Sequence, residues 1–171
     1  MTFTVPEATR VDLDLDVRRL SFLDFGGPGR PLLALHGHFS KGRAFARSAR
    51  ALTPDRRVVA SGQRGHGESG RPSDHHRRGC LADAVAVLDH LGLGAVVVLG
   101  HSLGGVNTYQ LAVRDPDRVL ALGRRGHRSR RGGRPVLLPL LAAPGAGPRG
   151  PDRGAGSVRP HRSRGLRRYC P

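Results

Sequence analysis

Short apolar runs alternate along the first 122 residues with segments whose apolar residues recur at helical spacing. The apolar runs predict buried strands at 31–36, 57–61 and 95–100. A strand within 18–29 and another beginning at 119–122 are also predicted, and helices are predicted over 40–52, 81–92 and 102–114. This alternation predicts an α/β fold with a mostly parallel sheet and helices on both faces.

Three glycine-containing segments follow the predicted buried strands. They are His36-Gly37, the loop 62–70 and the residues around Ser102. Ligands in parallel sheets bind beyond the carboxyl ends of the strands. We therefore expect these segments to meet at one edge of the sheet.

Residues 100–104 fit the pattern G-x-S-x-G between a predicted strand and a predicted helix. In that setting the serine sits on a sharp, strained turn, where side chains two residues to either side would collide. Gly100 and Gly104 occupy those two positions. The pattern predicts that Ser102 is a nucleophile, although a phosphate-binding turn or a plain tight turn would also fit it.

A serine nucleophile needs donors that hold the oxyanion it creates. The following helix would direct its N-terminus at the site, so the Leu103 N–H is one predicted donor. In the same architecture the second donor comes from the loop after an earlier strand, which here begins with His36 and Gly37. The backbone N–H of His38 is the predicted second donor.

Four segments taken together resemble the esterase-like branch of the α/β-hydrolase superfamily. They are "LLALHG" (32–37), "QRGHGESGRP" (63–72), "VLGHSLGG" (98–105) and "RDPDRVLAL" (114–122). The resemblance covers about residues 18–122, the N-terminal half of such an enzyme. It implies a serine hydrolase with an ester or similar acyl substrate. Many relatives carry Asp where this chain has Gly62, so we expect the loop 62–70 to be less rigid here.

The nucleophile type separates branches of this superfamily. The dehalogenase and epoxide-hydrolase branches attack with a carboxylate, so Ser at position 102 argues against both. Triad order in this architecture is Ser, then Asp or Glu, then His. The acids and histidines that follow Ser102 are Asp115, Asp117, Asp152, His127 and His161.

None of these residues is a convincing catalytic acid or base. Asp115 and Asp117 follow the predicted helix and should lie at the opposite edge of the sheet. His66 should pack and hydrogen-bond within its own loop, and His101 should point into the surroundings of the sheet. The acid and base are therefore not identifiable, and the chain is expected to be catalytically incomplete.

The chain changes composition near residue 122. Its net charge is +16, and residues 123–171 contain 13 Arg, 10 Gly, 7 Pro and one acid. We therefore divide it into a partial α/β-hydrolase domain, 1–122, and an Arg/Gly/Pro-rich tail, 123–171, predicted to be disordered because it has few apolar residues. A GC-rich gene read out of frame would produce such a tail, so a frameshift or a gene fragment is our hypothesis for its origin.

An alternative function from another class rests on the same tail. An Arg-rich arm could bind RNA, DNA or acidic lipid through its charge. Tyr169 is the only aromatic residue of the tail, and no RNA-binding signature is present. Nucleic-acid binding on a hydrolase-derived scaffold is therefore kept as the second hypothesis, limited to non-specific contacts.

The remaining composition excludes several classes of protein. No run of 18 apolar residues predicts a membrane span, and the N-terminus lacks the features of a signal peptide. Cys80 and Cys170 show no metal-binding or disulfide spacing. We expect a cytoplasmic protein without metal or cofactor, whose partner is a small acyl or ester substrate.

Overall fold

The structure is a computed structural model that describes residues 7–15, 18–73, 75–125 and 141–142. Its strands are β1 (Thr9–Leu15), β2 (Arg18–Asp24), β3 (Leu32–Leu35), β4 (Val58–Ser61), β5 (Val96–His101), β6 (Val119–Arg125) and β7 (Leu141–Ala142). Its α-helices are α1 (Ala46–Leu52), α2 (Arg77–His90) and α3 (Leu103–Arg114). Short 3-10 turns at Gly42–Phe45 and Pro116–Arg118 lead into α1 and β6.

The strands form one seven-stranded sheet in the order β1-β2-β4-β3-β5-β6-β7. The four central strands, β4, β3, β5 and β6, run parallel to one another. Antiparallel pairs flank them, with β1 and β2 on one side and β7 on the other. The predicted α/β sheet is confirmed, and β3, β4 and β5 lie within one residue of their predicted ends.

Both faces of the central strands are buried, because successive side chains point to opposite faces. One core contains Leu33, Leu35, Val96 and Val98 and packs against α2 and α3. The other contains Leu32, Ala34, Val97 and Leu99 and packs against the 3-10 turn and α1. This explains why β3 and β5 read as continuous apolar runs and confirms that helices cover both faces.

Four elements differ from the predictions. The helix predicted over 40–52 is a 3-10 turn, Gly42–Phe45, followed by α1 from Ala46. Strand β1 was not predicted, since its residues looked acidic and polar. Helix α2 begins at Arg77 rather than at residue 81. Strand β6 continues to Arg125, three residues past the predicted domain boundary, and the two residues of β7 pair with it. Residues 126–140 and 143–171, on which the predicted disorder depends, lie outside the described residues.

Candidate functional site

The chain order of the central strands creates a crevice at one edge of the sheet. From β3 the chain passes to β4 on one side and then to β5 on the other side. Such a reversal opens a crevice beyond the carboxyl ends of the two strands where it occurs. His36 and Gly37 follow β3, and Ser102 follows β5. The topology therefore places both predicted segments at this crevice.

Ser102 occupies the sharp turn between β5 and α3. Its backbone has φ 53° and ψ −117°, and the residue is exposed. A positive φ is rare for a residue with a side chain, and holding one costs about 1–3 kcal/mol. Such strained residues cluster at functional sites, where the surrounding structure holds them in place. The turn presents the Ser102 hydroxyl above the sheet edge.

Gly100 and Gly104 are required by close backbone packing at this turn. A methyl group on Gly100 would lie 2.4 Å from the carbonyl oxygen of Gly104. A methyl group on Gly104 would lie 2.0 Å from the carbonyl oxygen of Leu35. Only glycine fits at either position, as the G-x-S-x-G pattern predicts. The contact with Leu35 also joins the start of α3 to the end of β3.

The loop 36–39 lies directly beside Ser102. A methyl group on Gly37 would lie 3.1 Å from Ser102 Cβ and 2.9 Å from His101 Nδ1. The structure thus brings together the two segments from which oxyanion donors are predicted. Leu103 is the first residue of α3, where N–H groups lack intrahelical acceptors. His38 follows Gly37 and is exposed.

The loop contains two histidines, His36 and His38, and two more, His66 and His101, lie next to it. His36 is fully buried, and burial lowers its pKa from 6.5 to about 4, with smaller contributions from His66 and His101. The half-buried His66 ring lies 5.2 Å from the His36 ring and 5.5 Å from the His38 ring. His66 Nδ1 lies 2.9 Å from the Arg64 carbonyl oxygen, a contact within its own loop as predicted.

The loop 62–70 is tied to β2 by backbone and side-chain hydrogen bonds. Gly62 N–H donates to the Ser21 carbonyl oxygen at 2.8 Å, and Gly70 N–H donates to that of Arg19 at 2.7 Å. Ser69 Oγ donates to the Gly62 carbonyl oxygen at 2.6 Å and accepts the Ser21 N–H at 2.9 Å. Glycine at position 62 therefore leaves the loop anchored at both ends.

A buried ion-pair group supports the same loop and was missed by sequence reasoning. Arg64 donates to both carboxylate oxygens of Asp83 on α2, at 2.7 and 2.9 Å. Arg18 donates to the same carboxylate at 2.7 Å. Gly79 leaves room for the Arg64 guanidinium, which would lie 2.0 Å from a methyl group there. The arginine inside "QRGHGES" was the available signal, but its partner lies on a distant helix.

An open groove of about 570 Å³ adjoins the loop 36–39. It lies between residues that follow β3 and the tip of the loop 62–70. Phe39 stands at the groove with φ 55° and is 94% exposed. The groove is lined by Phe39, Ser40, Lys41, Arg43, Ala44, Gly67 and Glu68. It offers both cationic and apolar surface next to the loop.

The structure does not bring a catalytic acid to Ser102 from the described residues that follow it. Asp115 pairs with Arg114 at 2.8 Å, beyond the far end of α3, and Asp117 lies in the next turn. A helix of 12 residues separates both acids from Ser102 by about 18 Å. Asp152, His127 and His161 lie outside the described residues.

The described residues contain neither a metal-binding cluster nor a membrane-spanning helix. No group of three or more His, Cys, Asp or Glu side chains among them is arranged to hold a metal ion. Within the same residues, no helix is both long and apolar enough to cross a membrane. Cys80 is a free thiol whose pKa is raised, mainly by burial.

Comparison with known families agrees with the architecture. A family model described as "alpha/beta hydrolase fold" matches residues 30–122, more than half of the chain. The chain belongs to the alpha/beta hydrolase fold family. The matched range contains both segments beside the crevice and ends within β6.

Curated relatives of this alpha/beta hydrolase carry different activities in their names. It is 34% identical over 108 residues to epoxide hydrolase 4 of Mus musculus, covering 61% of this chain and 30% of that protein. It is 37% identical over 110 residues to the lipase LipV of Mycobacterium tuberculosis, covering 64% of this chain and 40% of that protein. It is also 35% identical over 115 residues to an sn-1-specific diacylglycerol lipase of Xenopus tropicalis, covering 66% and 34%.

Solved structures show the same partial coverage. The chain matches epoxide hydrolase A from Mycobacterium thermoresistibile with a TM-score of 0.64 and 27% identity, covering 69% of this chain and 39% of that one. The chain therefore spans between 30% and 40% of the length of these relatives.

Proposed function

We propose that this chain is an α/β-hydrolase-fold serine hydrolase of the esterase type, with Ser102 as the nucleophile. The observation that carries the proposal is the backbone of Ser102, which holds φ 53° at the turn between β5 and α3. The glycines on either side of it admit no side chain. A phosphate-binding turn does not require a serine held in this strained position.

The reaction follows from what the crevice offers. The Ser102 oxygen attacks the carbonyl carbon of an acyl ester, and the N–H groups of His38 and Leu103 stabilise the oxyanion. The oxyanion then collapses, the bond to the alcohol breaks, and the serine proton passes through water to the departing alcohol. Water hydrolyses the resulting ester on Ser102 in a second step. The described residues supply the nucleophile and these donors. A base and an acid would have to come from elsewhere, so the chain as written is a weak catalyst.

Serine at position 102 favours an ester over an epoxide as the substrate. The relatives named as lipases act on esters by their names, and a serine suits acyl transfer. The epoxide-hydrolase and dehalogenase branches use a carboxylate at this position, which this chain lacks. We assign the groove beside Phe39, which adjoins the loop 36–39, to the acyl or alcohol part of the substrate.

Turnover of 4-nitrophenyl acetate tests this proposal. We expect slow release of nitrophenol by the wild-type chain, at most about 10³–10⁴-fold above water, which is the residual expected of an enzyme without a complete triad. Part of this residual rate can survive without the serine, so the difference lies in the covalent step. The wild-type chain should gain one acetyl group in its intact mass and Ser102→Ala should gain none. Equal acetylation of the two proteins would contradict the assignment of Ser102.

The nucleic-acid alternative depends on residues outside the described part of the chain. The family match ends at residue 122 and gives that alternative no support. It stays a prediction, as do the cytoplasmic location and the absence of a cofactor.

A further inference from the structure

Behind the loop 36–39, three buried polar residues are connected by hydrogen bonds between their side chains and backbone groups. They are His36, Gln63 and Asn107, from three separate segments, and each is at most 5% exposed. Gln63 Nε2 donates to the His36 carbonyl oxygen. Asn107 Nδ2, on α3, donates to Gln63 Oε1. The three residues link the end of β3 to the loop 62–70 and to α3, which begins directly after Ser102.

The hydrogen bonds of His36 determine its tautomer. The backbone N–H of Gln63 donates to His36 Nε2 at 3.1 Å, so that nitrogen carries no proton. In a neutral imidazole the proton is then on Nδ1. His36 Nδ1 lies 2.8 Å from the Gly37 carbonyl oxygen and therefore donates to it.

Holding the Gly37 carbonyl also orients the N–H of His38. The two groups belong to one peptide unit, which is planar and trans, so they point in opposite directions. If the carbonyl points inward to His36, the His38 N–H points away from His36, on the opposite side of the peptide unit. Gly37, within this unit, is the residue that contacts Ser102 and His101.

We propose that His36, Gln63 and Asn107 are positioning residues that orient the His38 N–H as an oxyanion donor. This inference rests on the proposed function and assigns roles within the same site. None of the three touches the substrate. Asn107 holds the Gln63 side chain, Gln63 holds His36 through its side chain and its backbone, and His36 holds the peptide between Gly37 and His38.

The effect of a single oxyanion donor sets the size of the rate loss that we expect. Removing one oxyanion donor from a serine hydrolase lowers the rate about 10²–10³-fold. A mispositioned donor retains part of that effect, so a loss of about 10-fold or more in the rate of Ser102 acylation is expected. Because the donor acts on the transition state, the acylation rate constant at saturating ester should fall, while the ester concentration that gives half-maximal acylation stays close to its original value.

Two substitutions separate positioning from structural support. Gln63→Met leaves the backbone N–H but removes the donor to the His36 carbonyl and the acceptor for Asn107. The double variant Gln63→Met/Asn107→Leu also removes the amide that would otherwise be buried without a partner. Replacing both partners with apolar groups of similar shape is close to neutral for stability. The His36 carbonyl oxygen still loses its side-chain donor. The double variant should therefore unfold at a urea concentration above that of Gln63→Met and below that of the wild type.

The decisive comparison is the acylation rate of this double variant, measured by burst kinetics and intact mass with 4-nitrophenyl acetate. We expect its stability to recover from that of Gln63→Met while its acylation stays about 10-fold or more below wild type. Thr108→Val is the matched control, because it removes a buried hydrogen bond within α3, from Thr108 Oγ1 to the Gly104 carbonyl oxygen. Wild-type acylation in the double variant would overturn the proposal.

A second measurement does not depend on activity. Nitrogen NMR of the wild-type chain should show His36 in the Nδ1–H tautomer, and the Nε2–H tautomer would overturn the proposal. If Ser102 is never acylated but the tautomer is as expected, the proposed function fails and the orienting hydrogen bond remains. If Ser102 is acylated equally in wild type and the double variant, only the positioning roles fail.

Discussion

The carboxyl ends of the neighbouring parallel strands β5 and β6 are built very differently. Strand β5 ends in a turn where Ser102 is strained and no side chain fits at Gly100 or Gly104. Strand β6, in register beside it, ends with Arg124 opposite Gly100 and Arg125 opposite His101. In the related architecture the acid follows the serine in chain order, so β6 or a later segment would have to supply it. Among the described residues after Ser102, no acid lies beside the Ser102 turn.

The contacts around the Ser102 turn come from segments that precede residue 115 in the chain. Leu35 packs against Gly104, Gly37 lies beside Ser102, and Gln63 accepts a hydrogen bond from Asn107 on α3. We call β3, the loops 36–39 and 62–70, and α3 the Ser102 side. The first three predictions test how firmly the Ser102 side is held.

The largest expected effect is the loss of the Asp83 carboxylate, which anchors the loop 62–70. Asp83→Ala would remove the carboxylate that both Arg64 and Arg18 contact, and Arg64 is itself only 5% exposed. Breaking a buried pair on one side costs about 3–5 kcal/mol of the free energy of unfolding. Urea denaturation measures this loss.

Asp89→Ala is the matched control for that substitution. Asp89 pairs with Arg118 at 2.8 Å, but its side chain is 61% exposed. An exposed pair contributes less than about 1 kcal/mol. Equal losses in the two variants would show that the Arg64–Asp83 pair does not anchor the loop.

A methyl group at Gly104 should be the next most damaging change. It would lie 2.0 Å from the Leu35 carbonyl oxygen, so the start of α3 must move away from β3. We expect Gly104→Ala to lower the free energy of unfolding by about 3 kcal/mol. Gly94→Ala serves as the control, since nothing lies within 4 Å of a methyl group there. Similar stability of the two variants would contradict the close packing of Gly104 against β3.

Acid should lower the free energy of unfolding through His36, which lies in the loop 36–39 beside Ser102. Its pKa is about 4 in the folded chain, against 6.5 for an ordinary histidine, because burial disfavours the charged ring. Between these values the unfolded chain binds a proton that the folded chain does not. Stability from this group is therefore complete above about pH 6.5 and is lost as pH falls to about 4, by about 3 kcal/mol in total.

Urea denaturation across this pH range measures the effect. His36→Asn should flatten the dependence, while His76→Asn, at an exposed position, should leave it unchanged. An unaltered pH dependence in His36→Asn would assign the effect to other groups.

The contrast between predicted and missed features has a physical cause. Strands β3 and β5 were predictable because burial on both faces leaves continuous apolar runs. Strand β1 has only half-buried or exposed residues and pairs with one neighbour, so its Val11, Leu13 and Leu15 alternation is a weaker signal. The turn at Ser102 was predictable because Gly100, Ser102 and Gly104 lie within five consecutive positions.

The supporting residues were not predictable in the same way. Asn107 and Gln63 are 44 positions apart, and Arg64 and Asp83 are 19 apart. A polar side chain on a helix is compatible with solvent as well as with a buried partner. Only the packing of α2 and α3 against the sheet decides between these environments.

The site of covalent acetylation tests the central claim, that Ser102 is the nucleophile, most directly. The wild-type chain and Ser102→Ala would each be incubated with 4-nitrophenyl acetate at mildly alkaline pH, digested and mapped by mass spectrometry. Because no base for deacylation was identified among the described residues, we expect the acyl-enzyme to accumulate. The account predicts an acetyl group on Ser102 in the peptide that contains "GHSLGG" and none in that peptide of the variant. A wild-type peptide without acetyl on Ser102 would contradict it.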